Sequence, residues 1–123
     1  MKELLQTADW KQEKHVPVIE FEKKEDNKIS VTVSVGKEID HPNTTAHHID
    51  WIEFYFLPEG SKFPYLIGRY DFATHGASTD GPDSSGVYSE PFINTVFKTE
   101  KKGTFKALSY CNIHGLWTNS IET

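Results

Sequence analysis

The sequence predicts an all-β sandwich. Three observations carry that prediction. Apolar and polar residues alternate over several short stretches, turn-forming residues separate those stretches at frequent intervals, and no long stretch repeats with the period of a helix. A chain of 123 residues is expected to form a single domain, 1–123, with a modest but adequate core.

The elements follow in order. Only "KELLQTADW" offers a short helix, so the N-terminal segment is expected to be irregular or helical. In "VIEFEKKEDNKISVTVSVG" alternation runs on both sides of a polar turn. Ile19 and Phe21 share one face, and Ile29, Val31, Val33 and Val35 share another. Asp26-Asn27 supplies the turn of a hairpin. A third strand is expected in "HIDWIEFYFLP", ended by Pro58 and Gly60, and a fourth in "PYLIGRYDF". "DGPDSSG" reads as an exposed loop. "VYSEPFINTVFKT" and "TFKALSYC" follow as strands joined by "EKKG". Pro91 inside the first of these predicts an edge, a bulge or a break. The whole is an immunoglobulin-like β-sandwich of about seven strands.

Composition narrows the function. The formal net charge of −5 argues against nucleic acid, whose backbone needs a basic surface. One cysteine forms no internal disulfide, so nothing asks for an oxidising compartment. "MKELLQTADWK" has no apolar core of a signal peptide, and no run approaches the ~18 apolar residues of a membrane span. The expected address is the cytoplasm. The runs "EKKED" and "KTEKKG" fall at hairpin ends, where solvated turns explain them.

The chemistry lies in the histidines and the single cysteine. His15 stands in "EKHVP", just before the first strand. His41 and His47 stand in "HPNTTAHHI", on the loop entering the third. Cys111 and His114 stand in "CNIHG", after the last strand read from the pattern. Alone, each has a bland reading: a loop histidine is commonly a hydrogen-bonded surface residue, and a strand cysteine a small buried hydrophobe. Together they cluster where strands begin or end, and in a sandwich such loops converge. Pro17 and Pro42 stiffen the backbone beside His15 and His41. Several imidazoles and one thiolate point to a metal. Structural zinc usually takes four ligands, often with more cysteine. Iron, copper and nickel suit a tetragonal set with an axial thiolate.

These motifs, "EKHVP", "HPNTTAHHI" and "CNIHG", resemble in order and spacing the superoxide reductases of the one-iron neelaredoxin type. The resemblance covers essentially the whole chain, including "DWK", "FYFLPEG" and "LSYCNIHGLW". It implies one iron ion per chain, with His15, His41, His47 and His114 as equatorial ligands and Cys111 as the axial one. The second iron site of the two-iron desulfoferrodoxins is not expected, since four cysteines are lacking. His48 is left as a non-ligand and His75 as a surface loop histidine. Glu13 matches the glutamate that takes the sixth position in the ferric resting state. Lys14 matches the lysine that attracts and helps protonate superoxide. Rubredoxin or a similar electron donor and a homotetramer are further implications, as is a role in antioxidant defence.

The field at such a site favours an anion despite the acidic chain. Fe(II), one thiolate and neutral imidazoles sum to about +1, and Lys14 adds to it. The amides of Ile113 and His114 are expected to hydrogen-bond the sulfur. The main rival is a blue-copper electron carrier with two histidines, one cysteine and an axial methionine. Met1 is the only methionine, and the candidate histidines are too many. A bland binding module predicts no stoichiometric metal at all.

Overall fold

The computed structural model describes residues 4–123. Seven strands are present among them: β1 (Val18–Lys23), β2 (Lys28–Ser34), β3 (Ile49–Pro58), β4 (Tyr65–Asp71), β5 (Phe92–Lys98), β6 (Gly103–Cys111) and β7 (Gly115–Glu122). They form two antiparallel sheets, ordered β1-β2-β5 and β4-β3-β6-β7. The sheets stack as a sandwich, with β1 approaching β7 at one margin and β5 approaching β4 at the other.

The first hairpin closes as its turn residues require. Asp26 and Asn27 have φ of 60° and 61°, the left-handed pair of a type I′ turn, and the amide of Lys28 donates to the carbonyl of Glu25 at 3.2 Å. Register then merges the two apolar faces read from the hairpin. Ile19 stands opposite Val33 and Phe21 opposite Val31, so both sets face the same core. Val31, Val33, Ile52, Phe54, Phe105 and Ala107 are fully buried there. Phe105 anchors the layer, edge-on to Phe21 at 5.0 Å and tilted against Phe54 at 5.5 Å. Burying one such ring contributes on the order of 2 kcal/mol.

Three details refine the pattern reading. The stretch containing Pro91 is broken, as the proline predicts: β5 begins at Phe92, after Pro91, and β5 lies at a sheet edge. β7 is a full strand, although its residues Leu116 to Glu122 mix polar and apolar types on both faces. Of the segment expected to be irregular or helical, Leu4 lies in a 3₁₀ turn and the rest of the described part is irregular. Lys2 and Glu3 lie outside the described residues, and Gln6 instead bridges to Trp117 in parallel. Gln6 donates to the Leu116 carbonyl at 3.1 Å and accepts from Thr118 at 2.8 Å. The edge of β7 offered these partners, and the segment took them in place of its own helical bonds.

This topology brings the start of β1, the start of β3, the end of β6 and the start of β7 to one end of the sandwich. Ile49 is paired with Cys111, and Cys111 with Gly115. The three histidine- and cysteine-bearing motifs therefore meet at that end.

Candidate metal centre

Cys111 is the last residue of β6 and is fully buried. A tight turn follows it, and the amide of His114 donates to the Cys111 sulfur at 3.4 Å. The second expected donor, Ile113, makes no such bond among the described residues. His15 is buried just ahead of β1, its carbonyl accepting from the buried hydroxyl of Ser109 at 3.3 Å. His41 and His47 lie on the connection from β2 to β3. One donor atom each from His15, His47, Cys111 and His114 lies within 4.8 Å of the others. His41 stands beside them, its ring 4.9 Å from both the His15 and His47 rings and edge-on to each.

The outer nitrogens fix which atoms face inward. His15 Nδ1–H donates to Glu13 Oε1 at 2.6 Å, and His41 Nδ1–H donates to the Pro42 carbonyl at 2.7 Å. Each ring is left with an Nε2 lone pair. His15 Nε2 lies 3.0 Å from His114 Nδ1, which in turn lies 3.7 Å from the Cys111 sulfur. The Nε2 atoms of His41 and His47 are buried with no hydrogen-bond partner. A buried polar atom without a partner is costly, and two in one cluster beside a thiol are what a metal would relieve. Burial pushes the His41 imidazole down to about 4, and burial also lowers His15 and His47. Three rings are thus held neutral at pH 7, the form in which imidazole binds a metal.

Glu13 and Lys14 flank this cluster. Burial alone would raise the Glu13 carboxyl, but its bonds to the His15 ring and amide outweigh that and hold it below its ordinary value. In this conformation Glu13 sits on the outer nitrogen of His15 and not among the converging donors. Lys14 is half-buried, and its charge is a lesser cause, after burial, of the lowered values at His15, His41 and His47.

The remaining histidines form a separate pair. His48 and His75 stack at 3.5 Å with planes 4° apart. His48 donates to the Thr44 carbonyl and meets Asp50 Oδ1, each at 2.9 Å. His75 was expected on the surface and is instead buried, bonded to the Phe72 carbonyl at 2.5 Å and 3.2 Å from Asn43 Oδ1. With Asp50 they form a second group of possible ligands. Lone pairs lying in two parallel, stacked ring planes do not aim at one point, though, and every ring nitrogen already faces a partner. The pair braces the loop carrying His41 and His47 against the loop after β4.

Two neighbours of the centre escape the motif reading. Asn112 bonds the backbone on both sides of His47. Trp117 stacks on His15 at 4.9 Å and 16°, and its indole N–H donates to the His114 carbonyl at 3.2 Å. An amide between two candidate ligands was the signal available for Asn112. Trp117 lies on the unread strand β7.

The desulfoferrodoxin family profile matches residues 7–120. The chain belongs to the desulfoferrodoxin family. Among its relatives, a putative superoxide reductase of Archaeoglobus fulgidus is 66% identical over 94% of this chain and 92% of its own length. The superoxide reductase of Pyrococcus furiosus is 58% identical over 98% and 97%. The solved structure of the superoxide reductase (neelaredoxin) from Archaeoglobus fulgidus in the reduced form superposes with a TM-score of 0.94 at 63% identity, covering 97% of each chain. The donor set fits the iron that the desulfoferrodoxin family implies. Its neutral imidazoles and one buried sulfur match a borderline ion, and the two unpartnered Nε2 atoms are the places such an ion would satisfy.

Proposed function

We propose that this chain is a superoxide reductase that converts superoxide to hydrogen peroxide at one iron ion, without releasing dioxygen. His15, His41, His47, His114 and Cys111 are the residues that would hold the iron. The observation that carries the reading is the convergence of His15, His47, Cys111 and His114, with His41 beside them and two buried Nε2 atoms left unpartnered. Kinship with superoxide reductases over nearly the full chain supports it.

The reaction balances simply: one superoxide, one electron and two protons give one hydrogen peroxide, and no O–O bond breaks. Bound iron supplies the one-electron reductant and a positive charge beside the substrate. The chain's residues do the rest. Glu13 and Pro42 hold the His15 and His41 tautomers. The His114 amide donates to the sulfur and moderates its electron donation. Lys14 adds positive charge that draws an anion to an acidic protein and holds a proton near it. Glu13 is proposed as a further residue that would hold the oxidised iron, and it would give up its bond to His15 to do so. His114 is exposed, so the cluster opens to solvent on that side, and water protons reach it there.

Rubredoxin or a similar small redox protein is the proposed electron donor, docking beside His114 and the exposed Ile113. A homotetramer is the proposed assembly; exposed Phe63, Tyr65, Leu66 and Phe92 are apolar side chains available to it. No helix among the described residues is long and apolar enough to cross a membrane, and the cytoplasm is the proposed address.

The test is product stoichiometry. Iron-loaded protein receives a steady superoxide source and excess electron donor, and peroxide and dioxygen are counted after subtracting uncatalysed dismutation. The expected result is about one peroxide per superoxide with no enzyme-derived dioxygen. Half that peroxide with matching dioxygen would mean dismutation and overturn the reading.

A further inference from the structure

Metal-binding histidines are normally oriented by a bond to the ring nitrogen that does not face the metal. Two of the four candidate rings have such a contact: His15 has Glu13 and His41 has the Pro42 carbonyl. His114 is held through its backbone, which is tied to the Cys111 sulfur and to Trp117. The His47 ring makes no hydrogen bond among the described residues, and its inward Nε2 is buried and unpartnered. Its direction must come from its backbone.

That backbone is gripped from both sides by one residue. Asn112 Oδ1 accepts from the His48 amide at 2.8 Å, and Asn112 Nδ2 donates to the Ala46 carbonyl at 2.9 Å. The Asn112 amide also donates to the His48 carbonyl at 3.1 Å. Thr44 closes the loop from within, its hydroxyl accepting from the His47 amide at 3.1 Å. Asn112 follows Cys111 directly and lies two residues before His114. The same residue is therefore built into the turn carrying the sulfur and clamped to the loop carrying His47. Only a side-chain amide, with one donor and one acceptor at this reach, spans 46 and 48 in this way.

We propose that Asn112 is a positioning residue of the metal centre, setting the place of His47 relative to Cys111 and His114 by holding Ala46 and His48. The proposal rests on the reading that His47 and Cys111 hold iron. An Asn112 variant would leave every ligand present and change only the angle and distance at which His47 is offered.

Three variants test it: Asn112→Asp, Asn112→Ala and His47→Ala. Asn112→Asp keeps the shape and the acceptor but loses the donor to Ala46. Iron release into excess chelator is timed, the thiolate-to-ferric-iron absorption band is recorded, and the melting of metal-free protein is measured. Release should accelerate about 10- to 100-fold in Asn112→Ala and less in Asn112→Asp, with a shifted band and metal-free melting close to that of the unaltered chain. Unaltered release and band in both Asn112 variants would overturn the proposal. So would faster release with an unmoved band and a lowered metal-free melting temperature, which marks a merely structural role. If Asn112→Ala does not fold, the isosteric Asn112→Asp decides by the same readouts. Full iron retention in His47→Ala would overturn the ligand assignment itself. Iron lost in His47→Ala, with both Asn112 variants unaltered, would overturn the Asn112 proposal alone.

Discussion

Lys14 and Cys111 are proposed to act through charge and through donor strength, and each role has its own signature. The chain carries a formal net charge of −5, so capture of an anion depends on a local field. Replacing Lys14 with Met should slow superoxide capture on the order of 10-fold at low ionic strength and flatten its salt dependence, with iron content unchanged. Pulsed superoxide kinetics across a salt series reads this directly; unaltered rates would remove Lys14 from the mechanism. Cys111→Ser offers an alkoxide precursor where a soft thiolate donor stood. Turnover and the thiolate charge-transfer band should both vanish, and an active variant would defeat the axial assignment. At this scale the candidate ligands were legible because each sits in a short motif beside a proline or a strand end. His75 was not: its burial comes from the Phe72 carbonyl, Asn43 and the face of His48. Asn43 and His48 lie far along the sequence from it, and composition around "ATHGAS" still reads as surface. Trp117 and Asn112 were hidden for the same reason, since their partners are residues of other motifs.

The connection from β2 to β3 carries two of the candidate ligands and is shaped by one glycine. Gly36 has φ of +91°, and a Cβ there would stand 2.6 Å from the His41 amide nitrogen. A side chain meets both an unfavourable backbone region and the backbone of a candidate ligand. Gly36→Ala should cost roughly 1–3 kcal/mol of stability, measured by urea unfolding of metal-free protein, and should also weaken iron retention, because the chain must shift at His41. Unchanged unfolding and retention would show that the loop yields without cost. Strands β1 to β6 were legible at this scale from alternation and turn residues, with the Asp26-Asn27 hairpin the clearest case. β7 was not. Leu116, Thr118 and Ser120 on one face and Trp117, Asn119 and Ile121 on the other give no apolar stripe. Its strand form comes from the long ladder with β6, Thr104 to Cys111. The N-terminal segment shows the same effect, since Gln6 is drawn onto β7 by backbone bonds that local propensity does not encode.

Across the whole molecule, the metal centre and the fold are coupled through protons. The candidate ligands come from the ends of strands in both sheets and from the loop that joins them, and the imidazoles of His15, His41 and His47 are held neutral there by burial. In metal-free protein the folded-state value of His41 is about 4 against an ordinary 6.5, and those of His15 and His47 are lowered as well. Between those limits the unfolded chain binds more protons than the folded one, so stability rises with pH through that window and is lost as pH falls through it. Glu13 acts in the same direction: its folded value is lowered, so its contribution is present above the unfolded value and is lost on acidification through the folded one. For His41 alone the span from 6.5 to about 4 corresponds to on the order of 3 kcal/mol. Metal bound only to the folded state adds stability that grows with its free concentration. Chelator-treated protein should therefore melt lower than loaded protein at pH 7.5. Its melting temperature should fall steeply from about pH 6.5 to about pH 4, with little change between pH 7 and 8 from these groups. Thermal unfolding of both forms across that range makes the comparison. A metal-free curve that is flat below pH 6.5 would mean the rings protonate without cost, and the end of the sandwich would then be open and solvated rather than held ready for a cation.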